Sequence, residues 1–519
     1  MQSFNVKTNF ACSGVVEYTG TASLPVSVTL PNGKQYQFTY EATPGFSTYV
    51  TARVKRVTLP TGGYYEYAYS GSNDGAYCPD GSVLNLSRTI NDGTSSTVWQ
   101  FARTPPGSSW TTTITPPQLS YDTAANQSAY TFDTTGHETS RTFYQGSAAG
   151  GTLLRTINST WASNGTPATQ TTILENNQQS KVETDYDSNG NLTALREYDW
   201  GTGAPGSPIR NTTLTYLSTS AYTTRNILNR VTQQIVKDGT GAIKSRTDIA
   251  YDAGGAFSGA NCITGAAQHD DTNYGCSFTT RGNSTSITTY TDPVTPAGGI
   301  TKSFTYDSLG NLRTAQLNCC QQKQFNYSST TQYAYPDSAV SGSSPTQLTT
   351  SATYNTYTGL VATSTDENGK VTSFAYDTLK RIASVTRPDS TQITYTYDDT
   401  ARTVTVDTPT QGTDKVRSIT YVDPLGRAFK QTTSDTAGGN CSAAQTQFDT
   451  LGRAYKTSNP YDCAGSPSYW TETRFDGLGR PTKTIPPDGS ASSNNTSFAY
   501  AGPSVTVDFA TLSWPTSRI

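Results

Sequence analysis

The sequence is poor in the residues on which most catalytic and metal sites depend. It contains two histidines in 519 residues, His137 and His269, and neither lies in a recognisable motif. It has no GxSxG nucleophile turn, no HExxH zinc motif and no glycine-rich phosphate loop. We therefore predict a protein that is not an enzyme and that holds no cofactor or metal. Hydrolysis by paired carboxylates needs only Asp and Glu, so it stays open as an alternative.

Long apolar runs and blocks of charge are also missing. No stretch approaches the roughly 18 apolar residues of a membrane span, and the N-terminus shows no signal peptide. The net charge is −3 and no run of Lys or Arg occurs, so there is no electrostatic footprint for nucleic acid or an anionic membrane. The sequence predicts neither a membrane span nor a nucleic-acid partner.

Methionine is scarce, whereas residues typical of strands are abundant. One Met stands against 33 Tyr, and only 33% of the residues are hydrophobic. Aromatic and β-branched side chains suit a pleated, half-buried surface. We expect many strands and few helices.

What the sequence does contain is a recurring phrase: an aromatic residue, an aspartate, two variable residues and a glycine. Copies begin at Tyr186, Tyr251, Tyr306, Phe448 and Phe475, with an outlying copy at Phe132, a copy with one inserted residue at Tyr421, and a copy at Tyr376 in which Lys380 replaces the glycine. Aspartate caps a turn through its carboxylate, and glycine accepts positive φ at no steric cost. Each copy therefore predicts a hairpin tip. The predicted turn residues are Asp187, Gly190, Asp252, Gly255, Asp307, Gly310, Asp377, Asp423, Gly426, Asp449, Gly452, Asp476 and Gly479.

The spacing of these turns predicts a stacked repeat. Gly426, Gly452 and Gly479 are separated by 26 and 27 residues, and periods of 20 to 50 residues are typical of repeat architectures. An isolated hairpin is marginal in water and needs neighbours on both edges. The predicted fold is all-β: stacked antiparallel hairpins that form a spiralling sheet or a partial hollow shell or barrel. We expect a β-rich region of divergent repeats over 1–120 and a repeat spiral over 121–519, with insertion loops near 200–210 and 255–280.

Eight cysteines form an even set that is compatible with an oxidising compartment. Two local bridges are plausible from their positions, Cys262 with Cys276 and Cys441 with Cys463, and Cys12 with Cys78 would be a third. The sequence alone cannot establish the pairing. Adjacent Cys319 and Cys320 lack the paired short spacing of a zinc site, so free thiols and bridges to other segments stay open.

Two further motifs have a functional and a structural interpretation. Asp187 to Asn191 carries oxygen ligands at alternate positions, as a calcium loop would, but Tyr198 stands where such a loop needs glutamate, which favours a simple turn. Tryptophan rings can stack on sugars or pack across strands. The tryptophans concerned are Trp99, Trp110, Trp161, Trp200, Trp470 and Trp514.

The repeated phrase resembles the YD-repeat, or Rhs-repeat, proteins, which include bacterial polymorphic toxins, cocoon components of insecticidal toxin complexes and animal teneurins. The resemblance rests on the turn phrases from Phe132 to Gly479, on TLPNGKQYQFTY at Thr29 and TLPTGGYYEYAY at Thr58, and on TRPDSTQITYTYDD at Thr386. It covers roughly residues 24–510.

The resemblance implies a β-strand spiral that wraps into a hollow shell, which in the toxins encloses a C-terminal cargo. It also implies a secreted or surface-exposed bacterial protein. Toxin members end the repeats with an Asp-Pro and glycine cleavage motif. DPLGR at Asp423 is similar, but further repeats follow it, so we expect no cleavage there.

We therefore predict a non-catalytic extracellular scaffold, a segment of a larger protein that forms a shell or spiral for encapsulation or display. Its partners would be its own C-terminal cargo or neighbouring segments of the full-length protein. The alternative is a glycan- or cell-binding adhesin module that uses exposed aromatic side chains.

Overall fold

The computed structural model describes residues 1–71, 85–104, 109–318, 321–435 and 439–510, which are nearly all β-structure. Strands account for 55% and helices for 3% of the chain. Within these ranges, 39 strands are assigned to one mixed sheet. The all-β prediction is confirmed.

The strands follow one another with short connections. The first twenty are β1 Gln2–Lys7, β2 Thr19–Leu24, β3 Ser27–Thr29, β4 Gln35–Thr43, β5 Phe46–Thr58, β6 Tyr64–Ser70, β7 Asn85–Asn91, β8 Ser96–Arg103, β9 Ser109–Thr115, β10 Ser128–Asp133, β11 Glu138–Gln145, β12 Thr152–Trp161, β13 Pro167–Leu174, β14 Gln178–Tyr186, β15 Leu192–Tyr198, β16 Gly201–Thr202, β17 Pro208–Tyr216, β18 Val231–Asp238, β19 Ile243–Tyr251 and β20 Ser284–Asp292.

The remaining strands are β21 Ala297–Tyr306, β22 Leu312–Leu317, β23 Gln321–Asn326, β24 Ser338–Ser341, β25 Leu348–Tyr354, β26 Val361–Thr365, β27 Val371–Tyr376, β28 Ile382–Thr386, β29 Gln392–Asp398, β30 Thr403–Pro409, β31 Lys415–Val422, β32 Ala428–Asp435, β33 Cys441–Phe448, β34 Ala454–Ser458, β35 Tyr461–Asp462, β36 Trp470–Phe475, β37 Pro481–Ile485, β38 Asn495–Ala501 and β39 Ser504–Ala510. The helical segments are α1 Ser220–Thr223, α2 Asp271–Tyr274 and the 3₁₀ turns Gly259–Asn261 and Ser329–Thr331. No helix within the described ranges is long and apolar enough to cross a membrane.

The chain divides into two compact units. Unit 1 contains Met1–Thr160, Thr171–Gln178 and Ile393–Ile519, and unit 2 contains Trp161–Gln170 and Gln179–Gln392. Unit 1 therefore combines strands from both ends of the chain. The predicted boundary at residue 120 stays a prediction.

Neighbouring strands pair antiparallel, as the hairpin interpretation requires. The Asn-Gly turn illustrates the rule: β3 pairs with β4, Val28 lies opposite Tyr36, and Gly33 has φ of +80°. The pairing between β1 and β5 is parallel, and there Val6 lies opposite Val50.

The sheet depends on side-chain pairs more than on a thick core. Along β8 the side chains alternate, with Val98 exposed and Trp99 and Phe101 half-buried. Cross-strand pairs of this kind stabilise a sheet. Among the described residues, the buried hydrophobic side chains are few: Val6, Leu119, Leu154, Ala194, Ile263, Ala443 and Ile485.

Threonine-rich runs are strands whose hydroxyls bond across the ladder. Thr288 Oγ1 lies 2.8 Å from Thr301 Oγ1, and Thr353 Oγ1 lies 2.6 Å from Thr363 Oγ1. The run TTLTYL begins within β17. These threonine hydroxyls therefore find hydrogen-bond partners on the adjacent strand.

Candidate functional site

The repeated turn is a closed hydrogen-bonded unit, and the copy at Asp449 shows its geometry. The Asp449 Oδ1 atom accepts the backbone N–H groups of Leu451 and Arg453, each at 2.9 Å. Gly452 donates its N–H to the Asp449 carbonyl at 2.9 Å and has φ of +84°. The aspartate carboxylate thus caps the backbone N–H groups of the turn, and the glycine adopts the positive φ that the turn requires.

The same arrangement recurs in the other tight copies. Positive φ occurs at Gly190 (+80°), Gly310 (+90°), Gly426 (+84°) and Gly479 (+79°). Carboxylate bonds to the residues two and four positions later occur at Asp187, Asp307, Asp423 and Asp476.

The aromatic residue before the aspartate marks a β-bulge. Tyr306 lies opposite Leu312 and Thr305 lies opposite Thr314, so Arg313 is the extra residue on the returning strand. Bulges increase the local twist of a sheet. Similar register shifts precede Phe132, Tyr186, Tyr251, Tyr354, Tyr376, Phe448 and Phe475.

The tyrosine hydroxyl connects one repeat with the preceding one. Tyr376 donates to the carbonyl of Val361 at 2.9 Å, and Val361 is the first residue of β26. Equivalent bonds join Tyr216 to Leu192, Tyr251 to Val231 and Tyr500 to Pro481. Tyrosine therefore adds a fixed link between repeats that phenylalanine lacks.

Arginine after the glycine makes a second connection, which sequence reasoning missed. Arg453 Nε donates to Asp449 Oδ2 at 2.8 Å, while its guanidinium lies 4.3 Å from the ring centre of Phe475 in the next copy. The same stacking joins Arg427 to Phe448 (4.3 Å) and Arg480 to Tyr500 (4.1 Å). The arginine that directly follows the glycine in several copies of the phrase could have indicated this contact.

Asparagine replaces arginine in two copies and bridges differently. Asn311 Nδ2 lies 3.2 Å from Asp307 Oδ2 and 3.0 Å from the Tyr333 carbonyl. Both Asp307 and the adjacent Ser308 have no exposed surface. The amide therefore holds the turn and a neighbouring loop together.

Lys380 adopts the glycine conformation. Its φ is +64°, and its N–H still bonds to the Asp377 carbonyl at 3.0 Å. Arg381 Nε donates to Asp377 Oδ2 at 2.7 Å. The turn survives the substitution, with a side chain in a region that L-residues avoid.

The copy at Tyr251 differs from the prediction of a tip formed by Asp252 and Gly255. Asp252 itself has φ of +52°, and its carboxylate accepts N–H groups from Arg281, Gly282 and Asn283. Its own N–H bonds to the Asn283 carbonyl at 2.9 Å. The expected insertion thus lies inside the turn, because Asn283 closes the ladder where the fourth residue after the aspartate would otherwise do so.

Within unit 1, turns from the C-terminal segment contact hairpins from the N-terminal segment. The Pro424 carbonyl accepts the N–H of Gly63 at 2.9 Å and the hydroxyl of Thr61 at 2.5 Å. Gly63 is required by this approach, since a Cβ there would lie 2.6 Å from the Pro424 oxygen.

Further contacts of this kind follow in order along both segments. They join Asn32 to Asp399 (2.9 Å), Gln118 to Thr450 (3.2 Å), Tyr121 to Phe475 (2.9 Å), Gln145 to Gly477 (2.8 Å) and Glu175 to Gly502 (3.1 Å). The paired residues are 327 to 367 positions apart in the chain. The contacts therefore follow the same order along both segments.

A cavity of about 270 Å³ lies in unit 1 where these segments meet, lined in part by Tyr65, Leu425 and Phe448. Its carboxylates include Asp92 and Asp449. Burial raises the pKa of Asp92, but hydrogen bonds from Ser95 and Thr94 outweigh this effect and hold the pKa below its ordinary value. Because both carboxylates accept hydrogen bonds within turns, we interpret this cavity as a gap in packing and not as a binding site.

Two predicted disulfides are present, Cys262–Cys276 and Cys441–Cys463. The predicted pair of Cys12 with Cys78 falls on Cys78, which lies outside the described residues, as do Cys319 and Cys320.

The histidines and the candidate calcium loop have local partners. His269 Nδ1 lies 2.7 Å from Asp271 Oδ1, and His137 Nδ1 lies 2.8 Å from Thr135 Oγ1. The Asp187 carboxylate accepts hydrogen bonds within its own turn, and these bonds lower the pKa of Asp187. The largest contribution comes from the side-chain amide of Asn191. Across the part of the chain that the structure describes, no cluster of three or more His, Cys, Asp or Glu side chains could hold a metal ion.

The described tryptophans are half-buried. Trp110 stacks on Phe132 at 5.8 Å between ring centres, and Arg88 lies 5.2 Å from the ring centre of Trp99. Trp514 lies outside the described residues.

Comparison with solved structures gives distant likenesses. A mutant Tc holotoxin pore of Photorhabdus luminescens is 13% identical, with 90% of this chain and 25% of that chain covered and a TM-score of 0.42. The TcdB2-TccC3-Cdc42 structure is 13% identical, with 91% of this chain and 27% of that chain covered and a TM-score of 0.36. The structure of TcdB2-TccC3 without its hypervariable C-terminal region is 12% identical, with 86% of this chain and 27% of that chain covered and a TM-score of 0.33. This chain thus spans about a quarter of the length of the solved chains it resembles.

Comparison with protein families identifies the repeat itself. No curated protein matches the chain. The RHS Repeat family model matches residues 354–392, which include the copy at Tyr376. The resemblance is confirmed for this segment, and residues 354–392 form an Rhs repeat.

Proposed function

We propose that the chain is a non-catalytic scaffold segment of a longer extracellular protein. Its repeats build part of a shell or spiral, and the C-terminal cargo of the same protein is enclosed by it. The Rhs repeat at 354–392 supports a scaffold of this type. Secretion, enclosure and cargo are all parts of the proposal.

The carrying observation is the ordered series of turn contacts within unit 1. In a simple repeat array each unit contacts only its neighbours, so the array unwinds without loss of distant contacts. Here Gln145 bonds to Gly477 and Thr61 bonds to Pro424, more than 300 residues later. Such contacts hold distant segments of the chain together, as a wall that must resist opening requires.

The engaged carboxylates favour a scaffold over an enzyme. A general acid or base must reach the proton that it transfers. The Asp476 carboxylate instead accepts two backbone N–H groups at 2.9 Å and the Nε of Arg480 at 2.7 Å. The repeated aspartates therefore act in folding.

The alternative of an adhesin that binds glycans through exposed tryptophans has less support. The described tryptophans are half-buried, and several pack against arginine or aromatic neighbours.

Protease protection tests the enclosure. An unstructured reporter peptide is fused after Ile519, and its cleavage is compared with that of the free peptide. We expect slower cleavage in the fusion, and faster cleavage when Gln145→Ala and Tyr121→Phe loosen the contacts to the C-terminal turns. Cleavage of the fused and free reporters at equal rates would refute enclosure by this chain.

A further inference from the structure

A small cavity in unit 2 lies between the insertion at 252–283 and strand β21. It has a volume of about 190 Å³, and its lining residues include the aromatic Phe257, Phe304 and Tyr306 and the polar Asn261 and Asn283. Sites for drug-sized ligands usually have volumes of about 300–1,000 Å³. This cavity therefore suits a ligand of roughly one ring.

The insertion that forms the wall is held in place at several points. Cys262 and Cys276 form a disulfide, and Phe257 donates its N–H to the Cys276 carbonyl at 2.9 Å. The neighbouring Ile263 bonds to the hydroxyl of Ser308 through both its N–H (2.8 Å) and its carbonyl (2.9 Å). A preformed wall lowers the entropic cost of binding a ligand.

The charged groups around the cavity are already engaged. Asp252 accepts three backbone N–H groups and the hydroxyl of Tyr222 at 2.9 Å. Arg281 donates from its guanidinium to the carbonyls of Phe278, Tyr274 and Gly275. The cavity therefore offers no free charge to an ionic ligand.

Neutral polar groups, in contrast, are available. The side chains of Asn261, Thr279, Asn283 and Tyr306 form no hydrogen bond to any group in the described ranges, although all four are half-buried at the cavity. Amides and hydroxyls can donate to and accept from a ligand's hydroxyl groups. Aromatic rings beside them provide an apolar surface for the C–H face of the same ligand.

We propose that this cavity binds a neutral sugar ring, as a free monosaccharide or as the terminal residue of a glycan. Asn261 and Asn283 bind its hydroxyl groups, and Phe257 with Tyr306 packs against its apolar face. An anionic sugar is a poorer fit, because no lysine or arginine is among the described residues that line the cavity. The inference is independent of the scaffold role, so the two can fail separately.

Titration of the intact chain with glucose, galactose, mannose and N-acetylglucosamine, followed by saturation-transfer NMR and calorimetry, tests the site. We expect at least one of these sugars to bind, and Asn261→Ala or Asn283→Ala to weaken its affinity about tenfold through loss of hydrogen bonds. The isosteric Asn283→Asp, which removes the donor and keeps the shape, should weaken binding as well. Far-UV and near-UV circular dichroism confirm that each variant is folded.

Asn189→Ala is the matched control, because this exposed asparagine lies in another turn. Its affinity should equal that of the parent chain. Failure of all four sugars to bind would overturn the proposal, as would equal effects of Asn189→Ala and Asn283→Ala. Tighter binding of sialic acid than of any neutral sugar would contradict the assignment of ligand class.

Discussion

Gly477 donates its backbone N–H to the Oε1 atom of Gln145, 2.8 Å away and 332 residues earlier in the chain. A side chain at Gly477 would collide with the Tyr144 carbonyl, since a Cβ there lies 2.5 Å from that oxygen. The amide of Gln145 also donates to Asp122 Oδ1 at 3.0 Å. One glutamine thus joins a C-terminal turn to the N-terminal segment of unit 1.

Replacing Gln145 by alanine should lower the free energy of unfolding of unit 1 by about 1–3 kcal/mol, because Gly477 loses its acceptor in a half-buried place. Urea unfolding followed by tryptophan fluorescence measures the effect. Gln347→Ala, in an exposed loop, is the control and should change stability little. Equal midpoints for the two variants would show that the contact contributes nothing.

Gly452→Val should cost about 1–3 kcal/mol of stability, because valine is forced to adopt positive φ. The space around Gly452 is otherwise nearly open, since the Nη1 atom of Arg427 would lie 3.5 Å from a Cβ atom at this position. Gly150→Val is the control, since Gly150 has open space and no positive φ. Thermal unfolding of both variants separates backbone strain from simple loss of glycine, and an equally large loss in Gly150→Val would argue against strain.

Lys380→Gly should raise stability by about 0.5–1 kcal/mol, since the left-handed conformation costs roughly 1–2 kcal/mol for an L-residue and part of that gain is offset by the flexibility of glycine. The comparison is Lys370→Gly, at an exposed position without positive φ, which should lose stability. Chemical denaturation of both proteins decides the sign. A destabilised Lys380→Gly protein would mean that the lysine side chain contributes more than its backbone strain costs.

Acid should destabilise unit 2 through carboxylates whose pKa is lowered by folding. The hydrogen bond from Lys181, followed by that from Tyr198, lowers the pKa of Glu183 to about 2. The pKa of Asp238 is also lowered to about 2, led by the hydroxyl of Thr240 and the ammonium of Lys244. Their contribution to stability is complete above the unfolded pKa near 4 and is lost as the pH falls towards 2.

Denaturant midpoints measured between pH 6 and pH 2 test this effect. Glu183→Gln should reduce the dependence of stability on pH over that range, because it removes the carboxylate whose pKa folding lowers. An identical pH dependence in the parent and in Glu183→Gln would rule out the assignment to Glu183.

Much of the local structure was predictable from the spacing of a few residues. Aspartate and glycine three positions apart specify a tight turn because their bonds are local, and Gly310 and Gly426 indeed have positive φ. The disulfides Cys262–Cys276 and Cys441–Cys463 were predictable for the same reason, since 14 and 22 residues separate the partners. At Asp252 the sequence motif is complete and predicted a tight turn. The residue that closes this turn is instead Asn283, which lies beyond the insertion.

The sequence by itself determined the β-structure, the hairpin tips and the period, because each depends on residues close together in the chain. Only the tertiary structure decided that Gly477 contacts Gln145, that Pro424 contacts Gly63 and that Asn283 faces a cavity beside Phe257. These relationships depend on how twist and bulges accumulate over many strands, so a small change in each repeat alters which distant residues meet. No local pattern in the sequence specifies this accumulated twist.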